Sequence, residues 1–257
     1  MSNEKVLLDI IDGVASLKIN NLAKKNALDN SVIELLVSHI SSLDKKPNVE
    51  VILLGAEGDT FCAGGDIKAM KNKSDMFSGD ALELQKNYEW GIQEIPRAIE
   101  RISTPIISVV NGGAVGAGVD LCCMCDMRIG SDDCFFSESF AFLSLVPGDG
   151  GTFFLPRVVG YSKAMEMFLT GNKYSSTQAF EMGLLNIVTS KENLWNEAFS
   201  LAKKIQRNSY QAIRYTKKSM KMAYKTSDLE TVLDGLSAYQ GITQSSEEHN
   251  LRLGVKK

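Results

Sequence analysis

Two apolar runs, Val49 to Gly55 and Pro105 to Val110, each lead within a few residues into a loop built from small residues. Continuous apolar runs of this length read as strands covered on both faces, and such strands belong to parallel sheets. Parallel neighbours need crossover connections, which commonly carry a helix. The spacing supplies them. Asp29 and Ser31 open a segment with Leu35, Leu36, His39, Ile40 and Leu43 at helical intervals. Trp90 to Ile102 reads as a second helix, stopped before Thr104 and Pro105, and Val115 to Cys125 as a third that starts at glycines. Val6 to Ile10 and Val14 to Ile19 flank Asp12 and Gly13, a hairpin signal. The expected class is α/β, with a largely parallel sheet covered on both faces.

Beyond about residue 160 the pattern turns helical. Ser162 to Thr170, Ser176 to Met182, Glu192 to Arg207 and Ser227 to Tyr239 all carry helical periodicity, with little strand signal. An α/β core over 1–195 and a helical region over 196–257 are therefore expected. With 257 residues and 44% hydrophobic content, the chain can bury a sizeable core. The net charge of −3, without a long run of Lys or Arg, argues against nucleic acid or an anionic membrane as partner. The start, MSNEKVLLDI, resembles neither a signal nor a transit peptide. The most apolar stretch, Pro105 to Cys125, holds Asn111, Asp120 and several glycines, which suits a soluble core better than a membrane span. Cys122, Cys123, Cys125 and Cys134 crowd one region without the paired spacing or nearby histidine of a zinc site. They read as small core residues, no metal site is expected, and free thiols point to the cytoplasm.

The two loops are where chemistry is expected. The first runs from Phe61 through Ala63, Gly64, Gly65 and Asp66 to Ile67; the second runs from Asn111 through Gly116, Ala117 and Gly118 to Asp120. Small residues let the backbone approach a ligand and aim its N–H groups inward, and a helix starting near Val115 adds its positive end. Neither loop is a dinucleotide fingerprint or a P-loop, since the second spaces its glycines as GxxGxG. Two such loops, each after a strand, suggest one site of backbone donors able to hold an oxyanion.

FCAGGDI, NGGAVGAGVDLCCMCDMRI, LVPGDGGTFFLPRVVG and AMEMFLTG, in that order, resemble successive motifs of the enoyl-CoA hydratase/isomerase (crotonase) superfamily. Lys24-Lys25-Asn26-Ala27-Leu28 is similar to the family's first segment in contact with coenzyme A. The resemblance runs from about residue 5 to residue 225. It implies a spiral of ββα units followed by helices that build trimers or hexamers, and acyl-CoA thioesters as substrates. Coenzyme A enters as part of the substrate, with no permanently bound cofactor. By position, the amides of Gly65 and Ala117, with Gly116 beside them, grip the thioester oxygen. Backbone at Ala63, Asp66 and Ile67 meets the adenine, and Lys24, Lys25 and Lys68 are the candidates for the phosphates.

The chain departs from the hydratases at the acid and base. Their two glutamates fall at Asp120, which keeps a carboxylate, and at Phe140, which cannot move a proton. Glu138 lies two residues off that alignment, with Phe136 arguing against a shift. Asp149, in LVPGDGG, first reads as a turn residue. The resemblance changes that: the dienoyl-CoA isomerases place a carboxylate in this loop, although their further glutamate falls near Ala141. Pro147, Phe140 and Phe154 offer an apolar setting that would raise the proton affinity of Asp149. The expected activity is a double-bond shift with Asp149 as base and acid, and Asp120 as a second proton carrier or a structural partner, capping its helix or pairing with Arg128. A hydratase with unusual acid and base groups, a CoA-ester hydrolase and a non-catalytic acyl-CoA binder are the alternatives. Met76, Phe77, Tyr88 and Trp90 are candidates for an acyl pocket or for core. With only His39 and His249, a Ser-His-Asp hydrolase is not expected. The tail from Ser245 differs from the family's usual C-terminal helix, which leaves pocket closure by a neighbouring subunit open.

Overall fold

The computed structural model describes residues 4–254. Ten strands alternate with helices: β1 Val6–Ile11, β2 Val14–Ile19, α1 Asn30–Leu43, β3 Val51–Ala56, β4 Thr60–Cys62, α2 Ile67–Asn72, α3 Ala81–Asn87 and α4 Glu94–Arg101. Then come β5 Ile106–Val110, β6 Gly113–Val115, α5 Ala117–Met124, β7 Met127–Ser131, β8 Phe135–Ser137, α6 Gly151–Val159, α7 Tyr161–Thr170, β9 Lys173–Ser175, α8 Ser176–Glu181 and β10 Ile187–Thr189. Four helices close the described chain: α9 Leu194–Gln206, α10 Tyr210–Lys225, α11 Leu229–Gln244 and α12 Glu247–Arg252.

The strands form two sheets, one of six in the order β1-β2-β3-β5-β7-β10 and one of four in the order β4-β6-β8-β9. Among the described residues only β1–β2 and β8–β9 pair antiparallel. The first hairpin turns at Asp12 and Gly13, with φ of 48° and 80°, the left-handed pair that a two-residue turn requires. The later units repeat one rule: β3, β5 and β7 lie in the large sheet, while β4, β6 and β8, which follow them, lie in the small one. The chain therefore winds as a spiral, and every crossing from large to small sheet brings a loop to the same side of the molecule.

Both faces of the large sheet are covered, as the apolar runs predict. One face packs with α1, α4 and α5; the other meets α9, whose Leu194, Ala198 and Ala202 lie on Val51, Leu53, Ile107 and Val109. The boundary expected after residue 195 thus falls inside a helix that one sheet face needs. Two sequence expectations shift locally. Val115 ends β6 rather than starting a helix, and α5 begins at Ala117 after Gly116 with φ of 51°. The helix expected over 90–102 is broken into a wide π turn at Tyr88–Ile92 and α4, with non-helical backbone at Gly91. The segment over 210–225, without an element in the sequence reading, is a full helix, α10. All five cysteines are buried free thiols. No helix among the described residues is long and apolar enough to cross a membrane.

Candidate active site

The two loops predicted to carry donors lie side by side. A Cβ at Gly64 (φ 82°) would stand 2.6 Å from the Val115 carbonyl oxygen and 3.5 Å from the Ala117 amide nitrogen, so only glycine lets them approach. A Cβ at Gly118 would meet the Cys62 carbonyl at 2.3 Å, which lets α5 seat directly against β4. The amides of Gly65 and Ala117 meet no acceptor among the described residues, and Ala117 is the first residue of α5, where amides have no helical partner. Both residues line a cavity of about 220 Å³, together with Met76, Phe77, Tyr88, Phe140 and Asp149. Trp90, grouped with the first three in the sequence, is 71% exposed and faces a different groove.

The segment Lys24 to Leu28 runs beside the first loop. The Ala63 amide donates to the Lys25 carbonyl at 3.1 Å, and the Leu28 amide to the Gly64 carbonyl at 2.9 Å. Lys25 and Asn26 take left-handed backbone (φ 51° and 57°), and the Asn26 amide group bonds the carbonyls of Glu57 and Thr60. Lys24 is committed: its ammonium pairs with Asp66 at 2.9 Å and with buried Asp29 at 3.0 Å. The hydrogen bond to Asp66 is the largest cause of its raised proton affinity. Asp66 in turn caps α2 through the amides of Lys68 and Ala69. Lys25 and Lys68 are exposed.

Asp149 stands on the cavity wall, 2% exposed. Gly150, with φ of 113°, turns the chain into α6 immediately after it, and Gln93 ties down the preceding loop through the Gly148 carbonyl at 2.7 Å. Behind it lie Asp120, from the first turn of α5, and Glu138, just past β8, each with 0% exposure. Asp120 is in the middle, within hydrogen-bonding reach of both others. Its helix packs so closely on α6 that a Cβ at Gly151 would stand 2.0 Å from Asp120 Oδ1.

None of the six carboxyl oxygens receives a hydrogen bond from another described residue's N–H or hydroxyl, and the Asp149 backbone, beside its own carboxyl, opposes the rise in its proton affinity. Burial is the largest cause that raises the proton affinity of all three: Asp149 above the usual carboxylate range, Asp120 well above it and Glu138 to about 8, with neighbouring negative charge adding for Asp120 and Glu138. Arg128, a possible partner of Asp120 in the sequence, turns instead to the carbonyls of Cys125 and Leu184. Burial also pushes the Cys62 thiol up to about 12, so it stays protonated beside the loop.

The sequence reading sets Glu138 aside as lying two residues off the hydratase alignment. In the structure Phe140 lines the cavity, and Glu138 lies within hydrogen-bonding reach of Asp120. Strand alternation carries the signal: Phe136 points into the core, Ser137 away, and Glu138 in again. A larger cavity, about 750 Å³, lies elsewhere, between α10 and the backs of α5 and α6, and Asp149 does not border it.

This fold and loop arrangement match solved structures along nearly the whole chain. An enoyl-CoA hydratase from Bacillus anthracis superimposes with a TM-score of 0.87 at 27% identity, covering 96% of this chain and 93% of that one. In sequence, a crotonyl-CoA hydratase from Syntrophomonas wolfei is 33% identical over 84% of this chain and 81% of its own length. A peroxisomal Δ(3,5)-Δ(2,4)-dienoyl-CoA isomerase from Arabidopsis thaliana is 32% identical over 92% and 87%. The profile described as enoyl-CoA hydratase/isomerase matches residues 9–256, and the chain belongs to that family. It is an enzyme of the hydratase/isomerase type.

Proposed function

We propose that this enzyme shifts a carbon–carbon double bond of an enoyl-CoA thioester, with Asp149 carrying the proton. The observation that carries the reading is a single carboxylate on the cavity wall, with Phe140 where a hydratase needs its second acid. The Asp149 carboxylate takes a proton from the carbon beside the thioester carbonyl, and the electron pair moves into a dienolate. The amides of Gly65 and Ala117 receive the negative oxygen, each contributing about 3 kcal/mol to its stabilisation. Asp149 then returns the proton two carbons along, and the electrons settle as a double bond conjugated with the carbonyl. One carboxyl does both steps, as a dry pocket with raised proton affinity allows.

The strip from Lys24 to Leu28, the first loop and exposed Lys25 and Lys68 support coenzyme A lying across this edge. The exposed apolar stripe of Tyr161, Met165 and Leu169 on α7 supports association into trimers, and five free thiols suit a reducing, cytoplasmic setting.

The test offers a 3-enoyl-CoA to the enzyme and to Asp149→Asn in deuterated water, with products weighed by mass spectrometry. A conjugated 2-enoyl product carrying deuterium, formed about 10²–10⁴-fold more slowly by the variant, is expected. Equal turnover by the variant overturns the role of Asp149. A product heavier by one water means a hydratase, free thiol a thioester hydrolase, and tight binding without turnover a non-catalytic binder.

A further inference from the structure

Three carboxyl groups in a row, buried and without a hydrogen bond from any other described side chain, are stabilised by hydrogen-bonding one another. Each contact between adjacent carboxyls needs one proton. Two contacts, Glu138 to Asp120 and Asp120 to Asp149, need two protons and leave one negative charge. Only Asp149 of the three reaches the cavity, so the charge is best placed there.

Resting on the isomerase reading, we propose that Glu138 is a positioning residue at the far end of a carboxyl relay: it donates its proton to Asp120, which donates its own to Asp149 and holds Asp149 ionised and oriented at the cavity wall. When Asp149 takes the substrate's proton, Asp120 keeps its own and the cluster becomes neutral; when Asp149 gives the proton back, the single charge returns. Atoms and charge balance without exchange with solvent. The raised proton affinity of Glu138, about 8 with burial as its main cause, agrees with a protonated far end at neutral pH. The other titratable groups near the cluster are Cys62 from β4, Cys123 from α5 and Tyr88 from the π turn. Burial raises both thiols and the Tyr88 phenol, so all three are neutral there.

The relay has a consequence that a packing role lacks. Above about pH 8 Glu138 loses its proton, a second negative charge faces the dienolate, and turnover falls. Glu138→Gln keeps a donor to Asp120 but cannot ionise. It should lower kcat at neutral pH by about threefold to tenfold, leave KM within about twofold, and abolish the alkaline fall in kcat. Glu138→Leu removes the donor and should cost about a hundredfold in kcat. A Glu138→Gln pH profile that superimposes on the wild type, while Asp149→Asn is inactive, overturns the relay and leaves the isomerase reading intact. An active Asp149→Asn overturns the reading itself. Infrared spectra of the wild type give a measurement that needs no variant. Carbonyl stretching of buried protonated carboxyls is expected at pH 7 and should weaken on titration through about pH 8; its absence at pH 7 overturns the proposal.

Discussion

At the scale of single residues, the site depends on side chains that are absent as much as on those present. Gly151 is the sharpest case, because the space a Cβ would take is already filled by the Asp120 carboxyl. Gly151→Ala should push Asp120 off its line between Glu138 and Asp149. It should destabilise the protein by about 1–3 kcal/mol and lower kcat more than it raises KM, as read from urea unfolding and steady-state kinetics. Phe140 works the other way: its ring fills the wall beside Gly116 with a surface that cannot move a proton. Of the candidate site residues, Asp149 is legible because a carboxylate among glycines and proline is conspicuous in one dimension. Glu138 is not, because its neighbour in the site is Asp120, 18 positions earlier, and sequence spacing says nothing of that distance.

At the scale of elements, α10 shows how a polar helix can be held to an apolar core. Arg214, Lys217 and Lys221, one face of the helix, reach past its surface into the gaps between core elements. Arg214 pairs with Asp44 at 2.8 Å, and Lys217 with Asp126 at 2.6 Å and the Thr104 carbonyl at 2.8 Å. Lys221 donates to the carbonyls of Ile99, Glu100 and Ile102, where α4 ends and its carbonyls lack helical partners. Burial lowers the Lys221 proton affinity to about 8. Lys217→Met should therefore cost about 2–3 kcal/mol, seen as a lower urea midpoint, despite adding an apolar side chain. A near-unchanged midpoint would mean the ion pair is only decorative. The helix escaped the sequence reading for the same reason: its binding face is basic, and apolar periodicity cannot register it.

For the whole molecule, the buried carboxyls set how stability follows pH. The folded-state proton affinities of Asp120, Glu138 and Asp149 are raised, so the folded protein holds protons that the unfolded chain releases. The stability they lend is complete below the ordinary carboxylate range. For Glu138 it is lost as pH rises from about 4.5 to about 8. Asp29 and Asp44 act oppositely, since each is held below the usual range despite burial: Asp29 by hydrogen bonds from Lys5, Ser31 and Lys24, Asp44 by those from Thr104 and the charge of Arg214. Their contribution is present above about 3.8 and lost in acid. Glu138→Gln should thus be more stable than the wild type at pH 8, by up to about 4 kcal/mol, with the gap closing toward pH 5 in thermal unfolding. A constant gap would show that titration of this cluster is not the cause.

The sequence by itself determined the features that arise within a few residues of chain. These are buried strands from apolar runs, turns from Asp12-Gly13, two small-residue loops each entered from a strand, and an aspartate held between proline and glycine. Each is a local balance of backbone freedom and water exclusion, legible from neighbours alone. The tertiary structure decided which of these features meet. Winding of the ββα units stacked the ends of β4, β6 and β8 on one side, and so brought Gly65, Ala117, Glu138 and Asp149 to one place. It also spent Lys24 on Asp29 and Asp66, and turned Arg128 away from Asp120. A charge finds its partner by distance in space and by loss of water, and neither exists until the sheets are packed.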